Sequence, residues 1–169
     1  MAVFELAIPT VLAHEGGYTL DQGGATNYGI SAHWLMTTRD WRQYDLDGDG
    51  TLGPSDMRAL TKTQAIALYR QFWWTTYMGF MASQAVATKL FDTDVNMGMG
   101  EGTKLLQQAV GVAPDGVFGP ATLGAVNKMD EQVVLTKYRA LEADHYRAIV
   151  AARPTDAVDL KGWLNRANS

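Results

Sequence analysis

His14-Glu15-Gly16-Gly17-Tyr18-Thr19-Leu20-Asp21-Gln22-Gly23-Gly24-Ala25-Thr26-Asn27-Tyr28-Gly29-Ile30 is the stretch from which the chain is best read. Ahead of it, Phe4, Ile8, Val11, Leu12 and Glu15 recur at helical spacing, so residues 3–15 read as a helix. Pro9 removes one backbone donor and implies a kink or a late start. Gly16-Gly17 stops the helix, because glycine takes the left-handed capping conformation without Cβ strain. Glu15 is thereby left at the negative end of a helix dipole, where a carboxyl is favoured in its protonated form. A carboxyl of that kind can donate a proton to a leaving group. Taken alone, the pentapeptide around Glu15 is better read as a solvated last-turn glutamate. The polar, glycine-rich run from 18 to 30 suits a small β-hairpin or an irregular loop.

Downstream the periodicity is helical almost throughout. Ser31 can cap a helix carrying Trp34, Leu35, Thr38 and Trp41. Thr61-Lys62-Thr63-Gln64 is a capping box that opens a long helix with Ile66, Tyr69, Trp73 and Tyr77. Ser83 and Asp130 are further N-caps; Gly98, Gly111 and Pro154 are stops. On the helix after Asp130, Val134, Tyr138, Leu141 and Ala148 are expected to face inward, and Trp163-Leu164 anchors a last short helix. The fold class is mostly α with a small β-hairpin near the N-terminus.

At 169 residues the chain suits one domain, or two closely packed small lobes. Hydrophobic residues make up 47% and charged residues 19%, which excludes a disordered chain. A net charge of −4 gives no electrostatic case for nucleic acid. Cysteine is absent, so disulfides and thiolate metal sites are excluded. The first residues lack the basic region of a signal peptide, and no stretch approaches the roughly 18 apolar residues that span a bilayer. These features predict a product without a membrane segment, made in the cytoplasm; a monomer is expected. His33 and His145 stand in no zinc-binding pattern, and no serine nucleophile motif appears.

Residues 45–56, Asp45-Leu46-Asp47-Gly48-Asp49-Gly50-Thr51-Leu52-Gly53-Pro54-Ser55-Asp56, match the EF-hand calcium loop. Acids stand at positions one, three and five (Asp45, Asp47, Asp49), and glycine stands at six. Thr51 offers its carbonyl at seven, and Asp56 takes the place of the usual bidentate glutamate at twelve. A hard cation wants several oxygens from one short loop. The expectation is bound Ca2+ in a structural role, weakened by the shorter reach of Asp56; an acidic turn without metal is the alternative. A calcium sensor is disfavoured, since sensors normally pair two such loops.

Glu15-Gly16-Gly17-Tyr18, Asp21 and Gly23-Gly24-Ala25-Thr26-Asn27-Tyr28-Gly29-Ile30 together resemble the signature of glycoside hydrolase family 108, the N-acetylmuramidases found among bacteriophage endolysins. The resemblance continues through Leu60-Thr61-Lys62-Thr63-Gln64-Ala65, Tyr69-Arg70, Trp73, Phe91-Asp92, Val95-Asn96 and Gly98 to Gly162-Trp163-Leu164-Asn165-Arg166. Leu106-Gln107-Gln108-Ala109 and Asp115-Gly116-Val117-Phe118-Gly119-Pro120-Ala121-Thr122 look like that family's peptidoglycan-binding second half. The resemblance implies a lysozyme-like bilobed fold over residues 1–169, with a catalytic part (1–82) and a helical lobe (83–169). It implies hydrolysis of the β-1,4 bond between N-acetylmuramic acid and N-acetylglucosamine, with peptidoglycan as partner. It also implies action in the periplasm or cell wall, after release from the host cytoplasm through a holin-type pore.

By the same resemblance Glu15 is the general acid, Asp21 the second carboxylate that positions water, and Thr26 its helper. That scheme predicts inversion of the anomeric centre. The loop Asp21-Gln22-Gly23 is shorter than the family's, so turn-capping by Asp21 is the competing reading. A lone acid would fit a lytic transglycosylase, and a chain without catalysis would be a cell-wall binding module. Tyr28 is a candidate for the sugar site, or packs under the hairpin. Asp92 and Asn96, four apart on one helix face, are candidates for binding sugar hydroxyls, or form a helix-capping network. Trp73, Trp74 and Tyr77 could stack on sugars, with core packing favoured for Trp73.

Overall fold

The computed structural model describes residues 1–21 and 23–169. The chain divides into two compact units, Ile8–Phe72 and Met1–Ala7 with Trp73–Ser169. The first holds all the described strands and the acidic loop; the second is helical.

Helix α1, Phe4–Glu15, ends where the double glycine requires, with Gly16 at φ +69°. Pro9 lies inside it and removes a single rung. Three antiparallel strands follow in the order β1-β2-β3: Thr19–Asp21, Gly24–Asn27 and Ile30–Ser31. The expected single hairpin is therefore two hairpins sharing β2. Asn27 pairs with Ile30, which leaves Tyr28-Gly29 as a two-residue loop. Both loop residues have positive φ, +51° and +77°, the requirement of a type I′ turn that matches the twist of the flanking strands. Ser31 then caps α2, Ala32–Met36, with its hydroxyl accepting from the Trp34 amide at 3.1 Å. This helix stops well short of Trp41, which opens a separate 3-10 turn, Trp41–Tyr44.

The acidic loop leads into α3, Pro54–Ala59, and the expected capping box opens α4, Lys62–Phe72. Thr61 Oγ1 accepts from the Gln64 amide at 3.3 Å, while Gln64 Oε1 accepts from the Thr61 amide at 2.8 Å. Contrary to expectation, α4 does not continue through Trp73 and Tyr77. Thr75 is extended (φ −75°, ψ 157°) and caps a new short helix, α5, Thr76–Gly79. The aromatic and threonine residues at 73–76 have modest helix propensity, and a threonine hydroxyl favours the cap over the helix interior. The boundary between units thus falls ten residues before the expected 82/83 division.

In the helical unit, α6 (Gln84–Met97) and α7 (Met99–Val110) are followed by α8 (Pro120–Val126), α9 (Glu131–Ala152) and α10 (Leu160–Asn168). Ser83 and Asp130 act as the expected caps. Along α9 the buried face runs through Val134, Tyr138, Glu142 and Tyr146; Ala148, expected inside, is exposed. Glu142 is buried because it meets a cation: Lys89 of α6 lies 2.8 Å away and also donates to the Arg166 carbonyl at 2.7 Å. Gly102 of α7 has no room for a side chain, since the Asp94 carboxylate occupies the place a Cβ would take. Asp94 Oδ1 is buried with no hydrogen-bond partner among the described residues, and burial pushes its carboxyl well above the ordinary range. Among the described residues no helix is long and apolar enough to cross a membrane.

Candidate active site

Glu15 is the last residue of α1, half-buried, and its side chain lies against the backbone of Gly29. A Cβ added at Gly29 would stand 2.6 Å from Glu15 Oε2 and 2.8 Å from Glu15 Cβ, and closer still to the Tyr69 hydroxyl. Glycine is thus required at position 29 twice over, for its φ of +77° and for the carboxylate above it. Tyr69, fully buried on α4, donates its hydroxyl to the Tyr28 carbonyl at 2.8 Å. That bond holds the Tyr28-Gly29 turn under Glu15. At φ +51°, Tyr28 is the only described non-glycine residue in the left-handed region, as the first loop position of a type I′ turn requires.

Asp21 ends β1 and is exposed; its Oδ1 accepts from the Gly23 amide at 2.7 Å, the Asx-type contact of a turn-capping aspartate. Thr26 sits mid-strand, half-exposed, in a cross-strand row with Thr19 and Ser31. Its neighbours Ala25 and Asn27 point to the buried side. Asn27 Nδ2 donates to the carbonyls of Met57 (2.7 Å) and Leu60 (3.3 Å), which pins β2 to the end of α3. From the same helix the Arg58 guanidinium lies 4.7 Å above the Tyr18 ring. Tyr18 Oη is buried without a hydrogen-bond partner among the described residues. The helix after the acidic loop therefore braces both strands of the first hairpin.

In that loop the ligand atoms of Asp45, Asp47 and Asp49 lie within 4.8 Å of one another. Loop amides and hydroxyls surround these acids. Asp45 accepts from Gly48 (2.9 Å) and Gly50 (3.0 Å), Asp47 from Asp49 (3.2 Å) and Ser55 Oγ (2.6 Å), and Asp49 from Thr51 (2.8 Å). Asp56 departs from the expected twelfth-position ligand. It is 2% exposed, with Oδ1 accepting from Leu46 (2.7 Å) and Asp47 (3.4 Å) and Oδ2 from Gly53 (2.8 Å). Burial works against its charge, but the backbone donors outweigh burial and hold the carboxyl below the ordinary range. Asp56 is thus the clasp between the two ends of the loop, and its oxygens turn to the backbone instead of the acid cluster. Three convergent carboxylates are a hard-oxygen donor set that fits calcium.

Asp92 and Asn96 lie in the helical unit, where other side chains engage them. Asp92 is 1% exposed in the helical unit, with Oδ1 2.9 Å and Oδ2 3.1 Å from the Arg166 guanidinium. Asn96 accepts from Arg166 at 3.2 Å and donates to the Tyr146 hydroxyl at 2.5 Å. Arg166 is the reason: it sits near the end of the sequence, and only folding brings it to this helix face. Burial and the adjacent Glu142 push the Tyr146 hydroxyl well above the ordinary range of a phenol. Trp74 packs edge-on to Phe4 and Phe91 at 5.7 and 5.5 Å, which makes it core. Tyr77 stands against Phe118 at 6.3 Å. The sequence marks Tyr69 as a helix-face residue and, with Arg70, as part of the family resemblance; its bond to the Tyr28 carbonyl joins positions 41 residues apart.

The sequence model of the family described as Glycosyl hydrolase 108 matches residues 8–98, more than half of the chain. The chain belongs to the glycosyl hydrolase 108 family. Residues 101–168 match a second family described as "Predicted Peptidoglycan domain". Among solved structures the chain is similar to that of Brucella abortus SagA, with a TM-score of 0.76 and 32% sequence identity. That match covers 98% of this chain and 89% of the other. No curated protein sequence matches. Membership of the glycosyl hydrolase 108 family makes this a glycoside hydrolase directed at peptidoglycan, on a mostly helical, lysozyme-like fold with a small three-stranded sheet.

Proposed function

We propose that the protein is an N-acetylmuramidase that cleaves the β-1,4 bond between N-acetylmuramic acid and N-acetylglucosamine, with Glu15 as general acid. The observation that carries this reading is the seating of Glu15. A helix end, a type I′ turn and a buried tyrosine fix one carboxyl over a glycine that cannot be replaced. A general acid needs such a fixed position relative to the leaving oxygen. In the proposed reaction Glu15 gives its proton to the glycosidic oxygen as the bond to the anomeric carbon breaks. Asp21 and Thr26 hold the water that attacks the opposite face, which inverts the centre. Tyr28 lines the sugar site at the mouth of the turn.

The engagement of Asp21 with Gly23 favours a second reading, a lytic transglycosylase in which Glu15 acts alone and the sugar's own hydroxyl attacks. Mass spectrometry of digested peptidoglycan separates the two. Reducing muramic ends with a hydrated mass support hydrolysis, and anhydromuramic ends replace it with the transglycosylase. The acid itself is tested by Glu15→Gln, which should abolish clearing of purified cell walls and leave wall pull-down intact. Undiminished clearing by that variant would remove Glu15 from the mechanism.

Calcium belongs to the proposal as a structural ion held by Asp45, Asp47 and Asp49, with the Thr51 carbonyl completing the set. Bound there it would supply charge neutralisation to the loop that leads into α3. The residues of α3 then brace the sheet through Asn27 and Tyr18. An endolysin role is also proposed, with release of a monomer from the host cytoplasm through a holin-type pore; its support is the family resemblance of the sequence.

A further inference from the structure

The helical unit carries a groove of about 390 Å³ along α9, lined by Thr136, Arg139, Ala140, Asp144, Arg147 and Asn168. Arg139 and Arg147 are eight residues apart and share a helix face, with Ala140 and Ala143 making the space beside them. Arg139 donates from Nη2 to the main-chain oxygen of Ser169 at 3.0 Å. Its Nε is buried with no acceptor among the described residues, and no described carboxylate side chain pairs with it. That nitrogen is out of reach of a groove ligand, so what Arg139 offers the groove is the positive charge of its guanidinium. Arg147 is paired with Asp144 at 2.7 Å, but the two side chains are 58% and 72% exposed. Water and ions loosen such a surface pair readily.

The groove thus offers two cations, one carboxylate and an amide, and no aromatic ring. Glycan subsites generally need a flat apolar face for the sugar ring; none is present here. Charged groups of both signs instead suit a short peptide that bears carboxylates and an amine. The length agrees: eight helical residues span about 12 Å, the reach of about three to four extended residues. Guanidinium groups recognise carboxylates through paired N–H donors.

We infer that this groove is a subsite for the peptide stems of peptidoglycan. Arg139 and Arg147 take free stem carboxylates, and Asp144 takes the stem amine. This inference rests on peptidoglycan being the substrate, and it places recognition of the peptide in the second half of the chain. It would let the enzyme prefer wall segments whose stems keep their free carboxylates.

The test titrates the full-length protein with the soluble stem tripeptide L-alanyl-γ-D-glutamyl-diaminopimelate, followed by NMR and calorimetry. The expected result is shifts confined to α9 and the 166–169 end, with affinity at least about tenfold weaker in Arg147→Gln and in Ala140→Phe. Both substitutions are at exposed positions, and a thermal melt confirms that each variant folds. Amidation of the peptide carboxylates should weaken binding to the same degree. Four outcomes overturn the inference: no binding at millimolar peptide, unchanged affinity in both variants, equal binding of inorganic phosphate, or displacement by N-acetylglucosamine oligomers. The probe contains no glycosidic bond, so the titration is readable whether or not the muramidase proposal stands. Conversely, Glu15→Gln should leave the titration untouched.

Discussion

Gly29→Ala tests the seating of the acid directly. The new Cβ would lie 2.6 Å from Glu15 Oε2 and 2.8 Å from Glu15 Cβ, where ordinary contacts begin near 3.4 Å. The glutamate must retreat by about 0.8 Å, unless the turn or Tyr69 gives way and breaks the 2.8 Å bond to the Tyr28 carbonyl. Holding alanine in the left-handed region adds roughly 1–2 kcal/mol, and overpacking adds about 1–3 kcal/mol. The sheet-bearing unit should survive a loss of about 2–5 kcal/mol, since domains have roughly 5–15 kcal/mol in hand. Catalysis should not survive it, because a misplacement near 1 Å costs about a hundredfold in rate.

The assay is initial rate on purified peptidoglycan beside a thermal melt, with Gly16→Ala as the comparison. Gly16 shares the positive φ (+69°) but has nothing within 4 Å of the added Cβ, so it carries the strain without the contact. Gly29→Ala should therefore lose much more activity than Gly16→Ala. If both variants fold and retain similar rates, the close approach of Glu15 to the turn has no catalytic meaning.

Calcium should raise the melting temperature and chelator lower it, by an amount that grows with the logarithm of calcium concentration above the dissociation constant. Asp47→Asn should flatten that dependence; identical midpoints with and without calcium would leave the acid cluster a turn and nothing more. Asp94→Ala should stabilise the helical unit by about 1–3 kcal/mol near neutral pH, the usual penalty of a buried polar group left unsatisfied. Its raised carboxyl fixes the sign: the folded state keeps a proton that the unfolded state releases above about 3.9. Wild-type stability is then lost as pH rises from that point toward the folded value. Melts at pH 4 and pH 7 should show the advantage of the variant widening with pH, and a constant gap would rule out ionisation of Asp94 as its source.

Much of this protein is written in local sequence. The end of α1 at Gly16, the caps Ser31, Thr61, Ser83 and Asp130, and the stops at Gly98 and Gly111 each follow from a few adjacent residues. Family membership was legible for the same reason, because the glycine-rich signature around Glu15 is contiguous. What depended on distant partners was not legible. Asp92 looked available to a substrate until Arg166, 74 residues on, closed over it. Asp56 fitted a ligand pattern until three backbone donors claimed it. Trp73 and Tyr77 kept a helical period with Tyr69 that Thr75 interrupts.

The opening stretch shows the same division. Sequence by itself determined that a carboxylate stands where a helix must stop, because capping is a matter of neighbouring φ values. Only the tertiary structure decided what that carboxylate rests on. Tyr69 comes from a helix 41 residues beyond the turn it holds, and the space above Gly29 exists only when α1, the sheet and α4 have packed together. A chain can encode the stop of a helix in two residues; the fixed position of an acid needs three elements to agree.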